Sequence, residues 1–291
     1  MTITLPRLHP AQARIEREAR RFNVADCGRR FGKDVMAVKK LIEPALRGYP
    51  VAWFAPTHKM LRETWRDVSF RLAPIATKMN EQELRIELLT RGVVDMWSLE
   101  SDDTARGRKY KRVIINEAAM VAHLEDAWQK VIRPTLADYE GDAWFLSTPR
   151  GMNFFRTLYQ WGQDAARPDW ASWQMPTTAN PFIKASEVEA ARRELPERTF
   201  RQEFLAEFIE DGNGIFRRVT DAATVQPQDA PMAGHQYIIG VDWAKLEDFT
   251  VFTVMDTTTR EVVYMDRFNQ IDYQTQIGRL WALYAASSLS Q

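Results

Sequence analysis

The first half of this 291-residue chain alternates short apolar runs with helical patterns, and no other feature restricts its fold as much. Strand-like runs at Arg21–Ala25, Val51–Ala55, Val93–Leu99, Val113–Ile115 and Ala143–Ser147 are interleaved with helical periodicity over Val35–Leu46, from about Thr57, and over Asn153–Trp161. Alternation of this kind implies a mostly parallel sheet flanked by helices on both faces, an α/β core. Such a sheet gathers ligands beyond the carboxyl ends of its strands. The residues that follow each apolar run are therefore the first place to look for chemistry.

From Trp170 to Phe216 the pattern turns helical and charged, and Gly212 and Gly214 punctuate its end. Residues 220–236 carry turn residues and no period, which marks a boundary. YIIGVDW, FTVFTVMD and EVVYMDRF then read as three strands, and IDYQTQIGRLWALYAA as a helix. The expected organisation is a core over residues 1–168, a helical linker subdomain over 169–219 and a second, partial domain over 220–291. The 39 basic residues balance 39 acidic ones, so any contact with a polyanion is local rather than a property of the whole surface. A single cysteine, Cys27, excludes a disulfide framework, and no apolar run is long enough to span a membrane. The 10 Trp and 15 Phe are scattered through periodic segments and read as core.

CGRRFGKD, residues 27–34, follows a strand and opens a helix, the context a phosphate-binding loop requires. Backbone N–H groups of Gly28, Arg29, Arg30, Phe31 and Gly32 and the helix N-terminus would cradle phosphate oxygens, with Lys33 reaching the β- and γ-phosphates. The usual pattern begins with Gly and ends with Ser or Thr, whereas those positions here hold Cys27 and Asp34. A basic turn capping a helix is the bland alternative. KRVIINEAAM, residues 111–120, is an apolar strand ending in Asn116-Glu117. In nucleotide hydrolases such a strand end holds a magnesium-organising residue and a Glu that polarises the attacking water, the role Glu117 fits. The alternative is a surface carboxylate at a helix start. Two phosphate-chemistry motifs in this order favour the hydrolase.

With both motifs in place, the sequence resembles the large terminase subunits of tailed bacteriophages over most of residues 9–285. HPAQ, residues 9–12, is similar to the family's adenine-reading segment, with Gln12 as the amide that would pair with the base. DDTARG, residues 102–107, matches the Arg-Gly element upstream of the acidic strand, which makes Arg106 the candidate arginine finger acting on a neighbouring subunit. FLSTPRGMNFF, residues 145–155, resembles the coupling motif, in which Ser147 and Thr148 sense the γ-phosphate. FRQEFLAEF, residues 200–208, resembles the linker helix, and GVDWAKLEDFTVF, residues 240–252, the first strand of a ribonuclease H-like nuclease with Asp242 as a metal-binding carboxylate.

The resemblance implies a magnesium-dependent P-loop ATPase acting in the host cytoplasm as a homo-oligomeric ring on the procapsid. Its partners would be double-stranded viral DNA, the portal protein and the small terminase subunit, with no membrane. ATP and Mg2+ are the implied cofactors, with Asp34 and Asn116 holding the ion after an exchange of carboxylate between loop and strand. Asp248 is a weaker second nuclease carboxylate. The family's further acidic residues follow the helix that ends this sequence, so endonuclease activity is not expected of it. A helicase-like P-loop ATPase shares the nucleotide motifs but has no reason to carry GVDW after a linker. A truncated, non-catalytic prophage remnant is the reading from a different class.

Overall fold

The structure, a computed structural model of the chain, describes residues 3–100, 105–209, 224–244 and 248–288. The chain divides into two compact units, Met1–Asp211 and Gly212–Gln291.

The first unit is built on an eight-stranded sheet. In chain order its strands are β1 (Phe22–Cys27), β2 (Pro50–Ala55), β3 (Ala76–Asn80), β4 (Arg85–Leu88), β5 (Val93–Ser98), β6 (Arg112–Asn116), β7 (Asp142–Ser147) and β8 (Trp170–Met175). Their spatial order is β3-β4-β5-β2-β6-β7-β1-β8. From β5 to β8 every pairing is parallel. Strands β3 and β4 add an antiparallel hairpin at the other edge.

Because both faces are covered, the central strands are apolar on both sides, as parallel sheets require. Residues of β1 are all buried. One face packs Ala25, Trp53, Ile114 and Leu146 against helices α1 (Pro10–Glu18), α2 (Lys33–Leu46) and α3 (His58–Leu72). The other packs Val24, Phe54, Ile115 and Phe145 against a helical segment over residues 124–135 and against α4 (Phe154–Gln163). Two further helices, α5 (Ala185–Glu194) and α6 (Glu197–Leu205), complete the described part of this unit.

Two elements depart from the sequence reading. Residues 76–88 form a hairpin that the apolar pattern does not announce, because the middle of β3, Thr77 to Met79, is exposed and carries no apolar alternation. The segment from Trp170, expected to be helical, begins with β8, which pairs with β1 along its whole length, Phe22 opposite Trp170 through Cys27 opposite Met175. Its aromatic residues face the core while the chain's charge resumes only in α5 and α6, so the helical pattern starts later than its composition suggests.

The second unit is an antiparallel sheet in the order β11-β10-β9, made of β9 (Tyr237–Asp242), β10 (Thr250–Asp256) and β11 (Glu261–Phe268), followed by α7 (Tyr273–Ser288). The three strands and the helix fall where the sequence puts them. Among the described residues no helix is long and apolar enough to cross a membrane.

Candidate functional site

Strand order creates the site. The chain leaves β1, passes through α2 and returns in β2, three places away across β7 and β6. The carboxyl ends of β1, β6 and β7 therefore lie side by side, and each is followed by one of the motifs singled out above. Cys27, at the position where the usual loop has its first glycine, is the buried last residue of β1. The glycine requirement moves one residue on. A Cβ on Gly28 would stand 2.5 Å from the carbonyl oxygen of Phe204 and 2.8 Å from the backbone nitrogen of Thr177.

The loop is held from outside by its carbonyls. The Thr177 hydroxyl donates to the Arg29 carbonyl at 2.7 Å, and the Asn180 amide donates to that of Arg30 at 2.7 Å. His9 Nε2 lies 2.9 Å from the Phe31 carbonyl, and Gln12 Nε2 donates to the Gly32 carbonyl at 2.7 Å. Four consecutive carbonyls are thus turned away by four side chains, with Arg30 left-handed at φ 64° and Gly32 at φ 94°. Gly32 caps α2 without any side-chain hydrogen bond, so the N–H groups of a 14-residue helix open onto the loop. Such a terminus favours an anion through both its unpaired N–H groups and its dipole.

Lys33 Nζ lies 2.8 Å from Glu117 Oε1. Burial pulls the Lys33 pKa down, but Asp34 and Glu117 more than offset this, and the net shift is upward. Lys33 is therefore an ammonium at neutral pH. Glu117 adopts a left-handed backbone, φ 51° and ψ 42°, at the turn out of β6. For a non-glycine residue that costs on the order of 1 kcal/mol and is tolerated where the surroundings fix it. Ser147 supplies part of that fixing: its buried hydroxyl accepts from Ala119 N at 3.1 Å and lies 3.4 Å from Glu117 Oε2. Asn153, the N-cap of α4, donates to the Ala119 carbonyl at 2.8 Å.

The implied magnesium site can be tested against the residues present. Asn116 Oδ1 is buried without a hydrogen-bond partner, a hard oxygen acceptor held at the end of β6. Asp34 is an exposed carboxylate in the first turn of α2, close enough to raise the Lys33 pKa. An amide oxygen and a carboxylate suit a magnesium ion that keeps several waters and shares phosphate oxygens. These residues fit.

A third acceptor pair was hidden by the apolar run of β1. Both carboxylate oxygens of Asp26 are buried without a partner, and burial pushes its pKa well above the usual carboxylate range. Asp26 sits in register with Ser147 and raises the pKa of Tyr159 on α4, whose own burial is the larger cause.

A cavity of about 510 Å³ opens at this place, lined by Arg29, Arg30, Lys33, Met60, Glu117, Met120, Thr148, Pro149, Arg150, Gln202 and Glu203. Of the residues expected at the site, Arg29, Arg30, Lys33, Glu117 and Thr148 line it, whereas Gln12, Gly28, Phe31, Gly32, Asp34, Arg106, Asn116 and Ser147 are not among its lining residues. Gln12 is 2% exposed, and its Oε1 accepts from His9 N at 3.0 Å, closing a capping box on α1. Arg106 is exposed in the turn before β6, while Asp102, Asp103 and Thr104 lie outside the described residues. Sequence reasoning missed Thr177 and Asn180, which hold the loop, and Glu203, which pairs with Arg29 through both its side chain and its carbonyl.

In the second unit a larger hollow of about 910 Å³ is lined mainly by β9 and the aromatic face of α7, without a convergence of charged groups. Charged side chains converge instead on the smaller cavity. Asp242 and Asp248 are exposed, and the Ala244 backbone just beyond Asp242 is held by buried Thr250 and Gln276. Among the described residues no group of three or more His, Cys, Asp or Glu side chains is placed to hold a metal ion.

No protein-family model matches the chain. The large terminase subunit of Escherichia phage T5 is 32% identical over 201 residues, covering 67% of this chain and 45% of that protein. That of Thermus virus P23-45 is 29% identical, covering 94% of this chain and 65% of that protein. Among solved structures, the large terminase ATPase domain of Thermus phage P74-26 superposes with a TM-score of 0.57 at 24% identity, covering 70% of this chain and 94% of that domain. The large terminase of a thermophilic bacteriophage, solved with ATP-γ-S, gives a TM-score of 0.53 at 12% identity, covering 91% of this chain and 68% of that one. These two likenesses concern the fold, an α/β ATPase-like domain. The chain spans 45% to 65% of the length of the two relatives named. By these relatives and by its ordered motifs, the chain belongs to the terminase large subunit family of tailed bacteriophages.

Proposed function

We propose that this chain is the ATP-hydrolysing part of a motor that drives double-stranded viral DNA into a procapsid. The observation that carries the reading is the pairing of Lys33 with Glu117 in a cation-lined cavity at the open N-terminus of α2. Loop N–H groups and Lys33 would bind the β- and γ-phosphates. Glu117 would accept a proton from a water whose oxygen bonds to the γ-phosphorus as the bond to the β–γ bridging oxygen breaks, leaving ADP and phosphate. Asp34 and Asn116 would hold a magnesium ion, which neutralises phosphate charge when bound. Arg106 from a neighbouring subunit would stabilise the charge in transfer, and Ser147 and Thr148 would report the phosphate to β7 and α4. Gln12 would serve the nucleotide through the Gly32 carbonyl as well as, on resemblance, through the base.

On the family's pattern, residues 169–219 form the linker that moves against the ATPase core, and residues 220–291 begin a ribonuclease H-like nuclease. The motor would act as a ring at the portal protein, supplied with DNA by the small terminase subunit, in the host cytoplasm. Mixed rings test the arrangement. Arg106→Ala subunits should turn over slowly with portal and DNA present, and Glu117→Gln subunits with intact Arg106 should partly rescue them. Absence of rescue at any mixing ratio contradicts a finger supplied in trans.

A further inference from the structure

Four cations line the cavity against two carboxylates, and two of the four are already engaged: Lys33 with Glu117 and Arg29 with Glu203. Arg30 belongs to the phosphate loop itself. The remaining cation, Arg150, comes from the loop after β7, and among the described residues its guanidinium makes no hydrogen bond or ion pair.

Its loop is not loosely attached. At one end Ser147 is bonded to Ala119 N and lies against Glu117; at the other Asn153 is bonded to the Ala119 carbonyl. Both ends of the 147–153 segment are therefore pinned to the turn that carries Glu117. Gly151, left-handed at φ 61°, lets the chain double back between them. Arg150 stands in the middle of the segment, beside Thr148 and Pro149, and lines the same cavity as Glu117.

We propose that Arg150 is a phosphate-contacting residue acting within its own subunit, and that it binds the terminal phosphate of the nucleotide. The inference rests on the ATPase reading above. An uncommitted guanidinium presents paired donors that match phosphate oxygens, and such charge-assisted contacts are the strong ones. On that reading Lys33 and Glu117 mark where the γ-phosphate and the attacking water meet, so a cation on a cavity-lining loop tied to the Glu117 turn is placed for the γ end of the nucleotide. ADP lacks the group that Arg150 would hold. Arg150 would thus discriminate between the two nucleotides, and a loop tied at both ends to the Glu117 turn would transmit the difference.

The test is titration of the whole chain with ATP-γ-S and with ADP, comparing wild type with Arg150→Ala and Arg150→Lys. Arg150 is exposed and unbonded, so both variants should melt at the wild-type temperature. Arg150→Ala should weaken ATP-γ-S binding by on the order of tenfold or more while ADP binding changes less than about twofold. Arg150→Lys, which keeps the charge without the fork, should fall between. Equal weakening for both nucleotides, or none for either, overturns the assignment while leaving the ATPase reading intact. Failure of the wild type to bind either nucleotide overturns both.

Discussion

Lys33 Nζ lies 2.8 Å from Glu117 Oε1, so the loop's cation and the strand's carboxylate neutralise each other until a stronger anion separates them. Nucleotide must compete with this pair. Replacing Lys33 by Ala removes the ammonium and should abolish ATP binding at millimolar concentration. Glu117→Gln frees the ammonium, so ATP should bind at least as tightly as to wild type, and isothermal titration distinguishes the two. Equal loss of binding in both variants contradicts the assigned roles.

Thr177 and Asn180 hold the Arg29 and Arg30 carbonyls without lining the cavity. If they preorganise the loop, Thr177→Val and Asn180→Ala should each weaken ADP and ATP-γ-S alike, by on the order of tenfold, or about 1.4 kcal/mol. Equal effects on both nucleotides would separate them from Arg150. Unchanged affinity in both variants would show that the loop keeps its shape unaided.

Asp34 and Asn116 should be energetically coupled if both serve one ion. Asp34→Thr alone removes charge, and Asn116→Asp alone crowds two carboxylates, so each should slow magnesium-dependent turnover. The double variant should recover activity beyond the sum of the singles by about 0.5–3 kcal/mol, the range of residues that share a partner. Steady-state hydrolysis across a magnesium titration provides the four corners of the cycle, and strictly additive losses rule out a shared ion.

Asp26 carries a stability signature. Its folded-state pKa is raised by burial, so the folded chain keeps a proton that the unfolded chain gives up above about pH 4. Stability is full below the unfolded pKa and is lost as pH rises towards the folded one, at up to about 1.4 kcal/mol per pH unit. Asp26→Asn cannot ionise. Its melting temperature should therefore gain on wild type progressively as pH rises above about 4, and a difference independent of pH would show that Asp26 is charged in the fold.

The parts of this site that were legible in the sequence are those whose chemistry demands particular letters in a row. Gly32-Lys33 after an apolar run and Asn116-Glu117 after another specify strand ends, and the topology brings them together. The supports were not legible. His9, Thr177 and Asn180 act on backbone carbonyls across 22 to 150 positions, where any well-placed polar group would serve and no spacing announces it. Asp26 was concealed because one carboxylate inside FNVADC leaves the run reading as an ordinary strand. The β3–β4 hairpin escaped for the opposite reason: at a sheet edge β3 is short and its middle solvated, so it lacks an apolar alternation. Strand β8 escaped because its neighbours in sequence are charged helices, while its partner in space, β1, lies far upstream.

On the proposed reading this cavity hydrolyses ATP with Glu117 as the water-activating group. Phosphate release measured beside nucleotide binding, on wild type and Glu117→Gln in the presence of portal and DNA, tests it most directly. Both should bind ATP, and only the wild type should release phosphate above background. Phosphate release by Glu117→Gln at the wild-type rate would contradict it.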